Sequence, residues 1–386
     1  MDRMGGRTDR TIFSENAHVA TISSCPGANG TNYGMAFPWA GQVGDEPPSV
    51  GDEWRNDDRL FRMISSCLDG AGRVMSARRR AHEYTTLRQL SMRLTRRVIL
   101  FVALSSFVST AFSASPEGES RYFRSSDGVR LHYLEAGQGP VIVFVPGWTM
   151  PAEIWAPQFR HFAKSYRVIA LDPRGQGRSE IAREGYVAER RARDLAELID
   201  RIGEPVVLVG WSLGVLDSLT YVDNVGTERV RALVLVDNSI GEEPPPSSDP
   251  TFFKRLRTNR SATIERFVRG MYRTPQDEAY LQRMVAASLR VPLDASIALL
   301  SYPYPRQHWK EIVYRTDRPL LYAVSARFSG QAGNLKKNRP NAWVKVFENA
   351  GHALFVDEAE AFNLLLEDFL STEVPLPTSD NKKEGK

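Results

Sequence analysis

Pro205-Val206-Val207-Leu208-Val209-Gly210-Trp211-Ser212-Leu213-Gly214 is the stretch that decides the fold. An apolar run of β-branched residues reads as a buried strand. A G-x-S-x-G turn follows it, and Val215 to Val222 is compatible with a helix. Strand, sharp turn and helix in that order are the context of a nucleophile elbow. The glycines at 210 and 214 are read sterically, because a Cβ at either position would strike the crowded backbone of the turn. The turn lifts the Ser212 hydroxyl into a cleft. The helix N-terminus behind it suits a developing oxyanion.

Outward from the elbow, strand and helix patterns alternate. Val129 to Leu134 alternates apolar and polar and is expected as a half-buried edge strand. Val141 to Val145 is continuously apolar, as a central parallel strand would be. Ala152 to Phe162 reads as a helix, Val168 to Leu171 as a strand, and Val187 to Ile202 as a helix ended by Gly203. After the elbow comes the strand Ala232–Val236. The alternation breaks at 241–318, which carries helical patterns and many aromatic side chains, with Thr274-Pro275-Gln276-Asp277 expected to open one helix. It resumes with strands Leu320–Val324 and Trp343–Phe347 and a last helix running to Leu370. This order predicts an α/β fold, a doubly wound and mostly parallel sheet, with a helical cap inserted after the strand that follows the elbow. The core is expected at 120–240 and 319–371, the cap at 241–318, and a disordered tail at 372–386.

The chain has 386 residues, is 42% hydrophobic and 25% charged, and carries a net charge of +4. Those values suit a globular protein with a sizeable core. The basic excess lies outside the α/β region and forms no face interleaved with aromatics, so no nucleic-acid partner is expected. The two cysteines, Cys25 and Cys67, both precede the α/β region. Thiol catalysis, thiolate metal sites and disulfides are therefore excluded within it.

Residues 1–91 show no sustained period and are read as disordered, or as an extension upstream of a true start at Met92. Met92-Arg93-Leu94-Thr95-Arg96-Arg97, the apolar run Val98–Phe112 and the small residues Ala111 and Ser113 read as a secretory signal peptide at 92–114. The run is short and serine-rich for a membrane span. The expectation is an exported protein, periplasmic or secreted, with no stable membrane partner once the signal is removed.

A serine hydroxyl needs a base, and the base an orienting acid. Of the six histidines, His352 follows the last strand in Ala350-Gly351-His352-Ala353, where a loop can bring it to the elbow. The acid is commonly found after the penultimate strand, but no Asp or Glu occurs between Arg318 and Phe347. Asp237, at the end of the strand beside the elbow, is the expected substitute, with Glu242 and Glu243 in reserve. The oxyanion donors are expected from the backbone N–H groups of Leu213 and Trp148. In the turn Asp172-Pro173-Arg174-Gly175-Gln176-Gly177-Arg178-Ser179 the glycine spacing does not fit nucleotide binding. A structural turn with Asp172 and Arg174 paired locally is expected.

Together Pro146-Gly147-Trp148, the Asp172–Ser179 turn, the Gly210–Gly214 elbow and Gly351-His352 resemble the α/β-hydrolase superfamily, in its branch of esterases and cofactor-free haloperoxidases. The resemblance spans roughly 121–370. It implies a Ser212–His352–acid mechanism, no cofactor or metal, and a cap that selects a small-molecule acyl substrate. Two departures stand out: Pro146 replaces the usual histidine before the oxyanion glycine, and the usual acid is missing. Some members place the acid after the earlier strand, as Asp237 would. The expected activity is hydrolysis of a carboxylic ester or related acyl compound. A C–C bond hydrolase or peptidase on the same residues, and a non-catalytic ligand sensor on the same fold, are the alternatives.

Overall fold

The computed structural model describes residues 118–247 and 249–374. The expectations for 1–91, for the signal segment 92–114 and for the tail beyond 374 lie outside the described residues.

Eight strands form one sheet: β1 (Glu119–Arg124), β2 (Arg130–Ala136), β3 (Val141–Val145), β4 (Arg167–Asp172), β5 (Val206–Trp211), β6 (Val230–Val236), β7 (Leu320–Ser325) and β8 (Trp343–Phe347). Their spatial order is β1-β2-β4-β3-β5-β6-β7-β8. β1 and β2 pair antiparallel with their neighbours, and every pairing from β4 across to β8 is parallel. The doubly wound, mostly parallel sheet is thus observed. The strand expected at the edge is second from it, covered by β1. The alternation in β2 comes from its place near the margin of the sheet, not at its end.

Side-chain alternation sends each strand's residues to two layers. Ile142, Phe144, Val207, Val209, Val234 and Leu321 face one core, with α1 (Ala156–Phe162) and α11 (Ala359–Glu373) packed on it. Val143, Val145, Leu208, Leu233, Leu235 and Tyr322 face the other. There they meet α2 (Ala188–Ile202), α3 (Leu213–Val225) and α9 (Ser329–Asn338). The stretch expected to be one helix at 152–162 splits into a 3₁₀ turn, Ala152–Trp155, and α1, whose first turn contains Pro157. The proline removes an N–H where a continuous helix would use it.

Between β6 and β7 lie α4 (Phe252–Thr258), α5 (Arg260–Gly270), α6 (Glu278–Arg290), α7 (Leu293–Ala298) and α8 (Arg306–Arg315). They divide by packing. Phe252, Leu256, Phe267 and Met284, from α4 to α6, join the core on the first face. Trp309, Ile312 and Val313 of α8 join the second face, beside Leu219 and Val222 of α3. The residue that caps α6 is Asp277, whose carboxylate accepts from Tyr280 N at 2.9 Å. Thr274 and Pro275 precede the helix, because Asp277 supplies the better cap.

Candidate active site

The parallel strands all deliver their carboxyl ends to one edge of the sheet, and the three residues expected to carry chemistry lie on the connections there. β5 ends at Trp211 and α3 begins at Leu213, so a single residue makes the turn. Ser212 holds φ 54° and ψ −118°, a conformation a non-glycine residue rarely adopts. Its neighbours account for this. A Cβ on Gly210 would run into the Gly214 carbonyl, and one on Gly214 into the Val145 carbonyl. The strain is held by hydrogen bonds: Ser212 N donates to Val236 O at 2.9 Å, and Asn238 Nδ2 donates to Ser212 O at 2.7 Å.

His352 Nε2 stands 2.9 Å from Ser212 Oγ, and His352 Nδ1 stands 2.7 Å from Asp237 Oδ2. An ionised carboxylate only accepts, so Nδ1 carries the proton and Nε2 is left to accept from the hydroxyl. Asp237 is fully buried and His352 only 5% exposed. Asp237 also sits at positive φ, 46°, a region aspartate tolerates better than most residues. Its other oxygen, Oδ1, accepts from Ser325 N at 2.6 Å. The last residue of β7 thus supplies a backbone donor to the carboxylate that follows β6. The reserve carboxylates are engaged elsewhere: Glu242 with Tyr314 Oη at 2.5 Å and Lys310 Nζ at 3.2 Å, Glu243 with Arg306 Nη1 at 3.1 Å.

Leu213 is the first residue of α3, so its N–H has no partner within the helix. The loop after β3 runs tightly against the elbow. A Cβ on Gly147 would lie 3.0 Å from both Ser212 Cβ and the Trp211 ring. Trp148 follows, and its indole turns into the insertion: Nε1 donates to Ser296 O at 2.8 Å, and the ring meets Phe267 edge-on at 4.9 Å.

The loop owes its shape to Gln176, whose role went unread in the sequence. Its Oε1 accepts from Thr149 N at 2.7 Å, and its Nε2 donates to Gly147 O at 3.3 Å and Met150 O at 3.2 Å. The signal lay in the turn itself, where a glutamine sits between two glycines. The local pairing expected there is corrected. Arg174, fully buried, binds Asp194 (Nε–Oδ2 2.7 Å) and Asp127 (Nη2–Oδ2 3.0 Å). Asp172 instead accepts from Ala152 N at 2.6 Å and Arg178 N at 2.8 Å, and meets His132 Nδ1 at 2.7 Å. A buried guanidinium takes two carboxylates more readily than one neighbour already saturated by amides.

A serine on a strained strand–turn–helix, with a histidine and a buried carboxylate in line, defines a protein of the α/β-hydrolase class. Residues 142–363 match the alpha/beta hydrolase family, and the chain belongs to it. It is 29% identical over 269 residues to a pimeloyl-[acyl-carrier protein] methyl ester esterase of Vibrio campbellii, spanning 62% of this chain and 98% of that one. A non-heme chloroperoxidase of Kitasatospora aureofaciens is 37% identical over 112 residues, 28% of this chain and 41% of that one. Among solved structures, an aryl esterase fold from Burkholderia cenocepacia superposes with a TM-score of 0.60 at 24% identity, covering 66% of this chain and 99% of that one. These similarities fall in the esterase and haloperoxidase branch.

Proposed function

We propose that the protein is a serine hydrolase of carboxylic esters or related acyl compounds such as lactones or thioesters, acting through an acyl-enzyme on Ser212. The observation that carries this reading is the unbroken pair of hydrogen bonds from Ser212 Oγ to His352 and from His352 to Asp237. His352 Nε2 takes the hydroxyl proton as Oγ attacks the acyl carbon. The N–H groups of Leu213 and Trp148 hold the oxyanion. His352, now charged and held by Asp237, gives the proton to the leaving alcohol. Water then repeats the sequence on the acyl-enzyme and restores Ser212. The helices from α4 to α7 act as the cap, and their aromatic side chains favour an apolar acyl or aryl group. A carboxylate beside His352, at Asp237, favours catalysis over the ligand-sensor alternative. Similarity to ester-cleaving relatives favours esters over C–C bonds or peptides.

Export through segment 92–114 completes the proposal. Sequencing the N-terminus of the mature protein tests it, with a start just beyond Ser113 expected. For the chemistry, a fluorophosphonate should label the wild type at Ser212, and Ser212→Ala should lose both the label and turnover of short aryl esters. Retained turnover in that variant overturns the reading.

A further inference from the structure

One carboxylate ties the loop that carries His352 to the insertion. Asp357, the last residue of α10 (Leu354–Asp357), is half-buried and accepts four hydrogen bonds. Its Oδ2 takes Gly351 N at 2.7 Å and Arg273 N at 2.8 Å; its Oδ1 takes Thr274 N at 3.1 Å and Thr274 Oγ1 at 2.6 Å. Gly351 immediately precedes the base. Arg273 and Thr274 belong to the link between α5 and α6. A second tie runs from Ala353 N to Met271 O at 2.9 Å. Both neighbours of His352 are thus bonded to segment 271–274, one directly and one through Asp357. From the sheet side, Trp211 Nε1 donates to His352 O at 2.8 Å. There is no slack at the junction, since a Cβ on Gly351 would sit 2.5 Å from Met271 O and 3.1 Å from Arg273 N.

An ionised carboxylate has about four acceptor positions, and here four donors fill them. Three of the donors are backbone amides, so the contact holds main chain, not mobile side chains. Bonds to an ionised acceptor are the stronger kind.

We propose that Asp357 is a positioning residue that sets the reach of the His352 imidazole toward Ser212 and makes that reach depend on where the insertion sits. The proposal rests on the reading of His352 as the base. Displacement of segment 271–274 pulls on Gly351 and Ala353 together, which carries Nε2 away from Oγ. Movement of the insertion therefore changes the competence of the base as well as access to it.

Asp357→Asn tests this. The amide keeps one acceptor oxygen and turns an NH₂ toward amide donors, so part of the clasp is lost. The expected result is a fall in kcat on an aryl ester of about 10- to 100-fold, with KM near wild type. Thr274→Ala, which removes one arm, should fall less, and Asp357→Glu should recover part of the loss. A second readout needs no turnover: the low-field proton resonance of His352 Nδ1–H in the resting protein should shift or broaden in Asp357→Asn. Wild-type kcat in folded Asp357→Asn, or a loss of kcat with that resonance unchanged, overturns the proposal. If the wild type itself cleaves no ester, the functional reading fails, while the resonance still decides whether Asp357 positions the imidazole.

Discussion

Asp237 and His352, 115 residues apart in the chain, meet at 2.7 Å in a buried contact. The aspartate reaches the imidazole from the end of β6, one strand nearer the elbow than the position the family more often uses. Two features make that place workable. Asp237 adopts a positive φ that aspartate tolerates, and Ser325 N, from β7, occupies the carboxylate oxygen that His352 leaves. Asp237→Asn keeps the shape and removes the acceptor-only oxygen that fixes the tautomer. Its expected cost is on the order of 10³–10⁴ in kcat for an aryl ester, with fluorophosphonate labelling slowed in parallel. Near-wild-type turnover would show that His352 is oriented by something else.

The glycines give predictions of opposite sign. Gly214→Ala drives a methyl group toward the carbonyl oxygens of Val145, which ends the central strand β3, and of Pro146 just beyond it, neither of which can step aside. It should destabilise by about 1–3 kcal/mol or more and lower the yield of folded protein. Gly333 lies inside α9 with nothing within 4 Å of where a Cβ would be. Gly333→Ala should stabilise by about 0.5–1 kcal/mol, through a smaller loss of backbone freedom on folding. Chemical denaturation of the two variants beside wild type reads both effects.

The elbow was legible because its chemistry is local: an apolar run, two glycines and a helix contiguous in sequence carry it. His352 was legible from its place after the last strand, and Asp237 from its place at the end of the strand beside the elbow, with no Asp or Glu between Arg318 and Phe347. What stayed hidden depends on side chains reaching across the fold. The glycines on either side of Gln176 mark a turn, but they do not say that its amide will shape the loop after β3. Asp172 and Arg174 look paired because they are neighbours, yet their partners lie in other elements. Asp357 reads as an ordinary helix-end acid until the insertion folds against it. Secondary structure slipped where one residue overrides a pattern, as Pro157 does in α1 and Asp277 at the start of α6.

A buried ion pair braces the helix that follows Ser212. Arg191 on α2 binds Asp217 on α3 (Nη2–Oδ1 2.8 Å), and Tyr302 Oη, from the insertion, contacts both. Both charged side chains are at most 4% exposed. Removing one member strands the other charge in a dry site. Asp217→Ala should therefore cost about 3–5 kcal/mol, while Tyr302→Phe, which leaves the pair intact, should cost about 1–3 kcal/mol. Replacing Arg191 and Asp217 together by apolar residues should recover much of the single-variant loss. Urea unfolding of the four proteins distinguishes these outcomes, and a double variant no better than Asp217→Ala would mean that the pair contributes more than its own satisfaction.

Alkali should loosen the insertion. Tyr272 and Tyr280 place their hydroxyls 3.1 Å apart. Burial pushes the Tyr280 phenol up to about 12 from its ordinary 10.0, and burial raises Tyr272 as well. A group whose pKa is higher in the folded chain holds its proton there after the unfolded chain has released it. The stability it lends is complete below pH 10.0 and is lost as pH rises toward about 12. Thermal unfolding followed across that window should show Tm falling with pH. Tyr280→Phe should flatten the slope, and at neutral pH it should cost about 1 kcal/mol for the lost hydroxyl contact. Ultraviolet absorbance supplies the check on mechanism: at pH about 11 these two tyrosines should ionise only as the protein unfolds. Tyrosinate signal from them in the folded state, or a slope unchanged in Tyr280→Phe, would locate the alkaline sensitivity elsewhere in the chain.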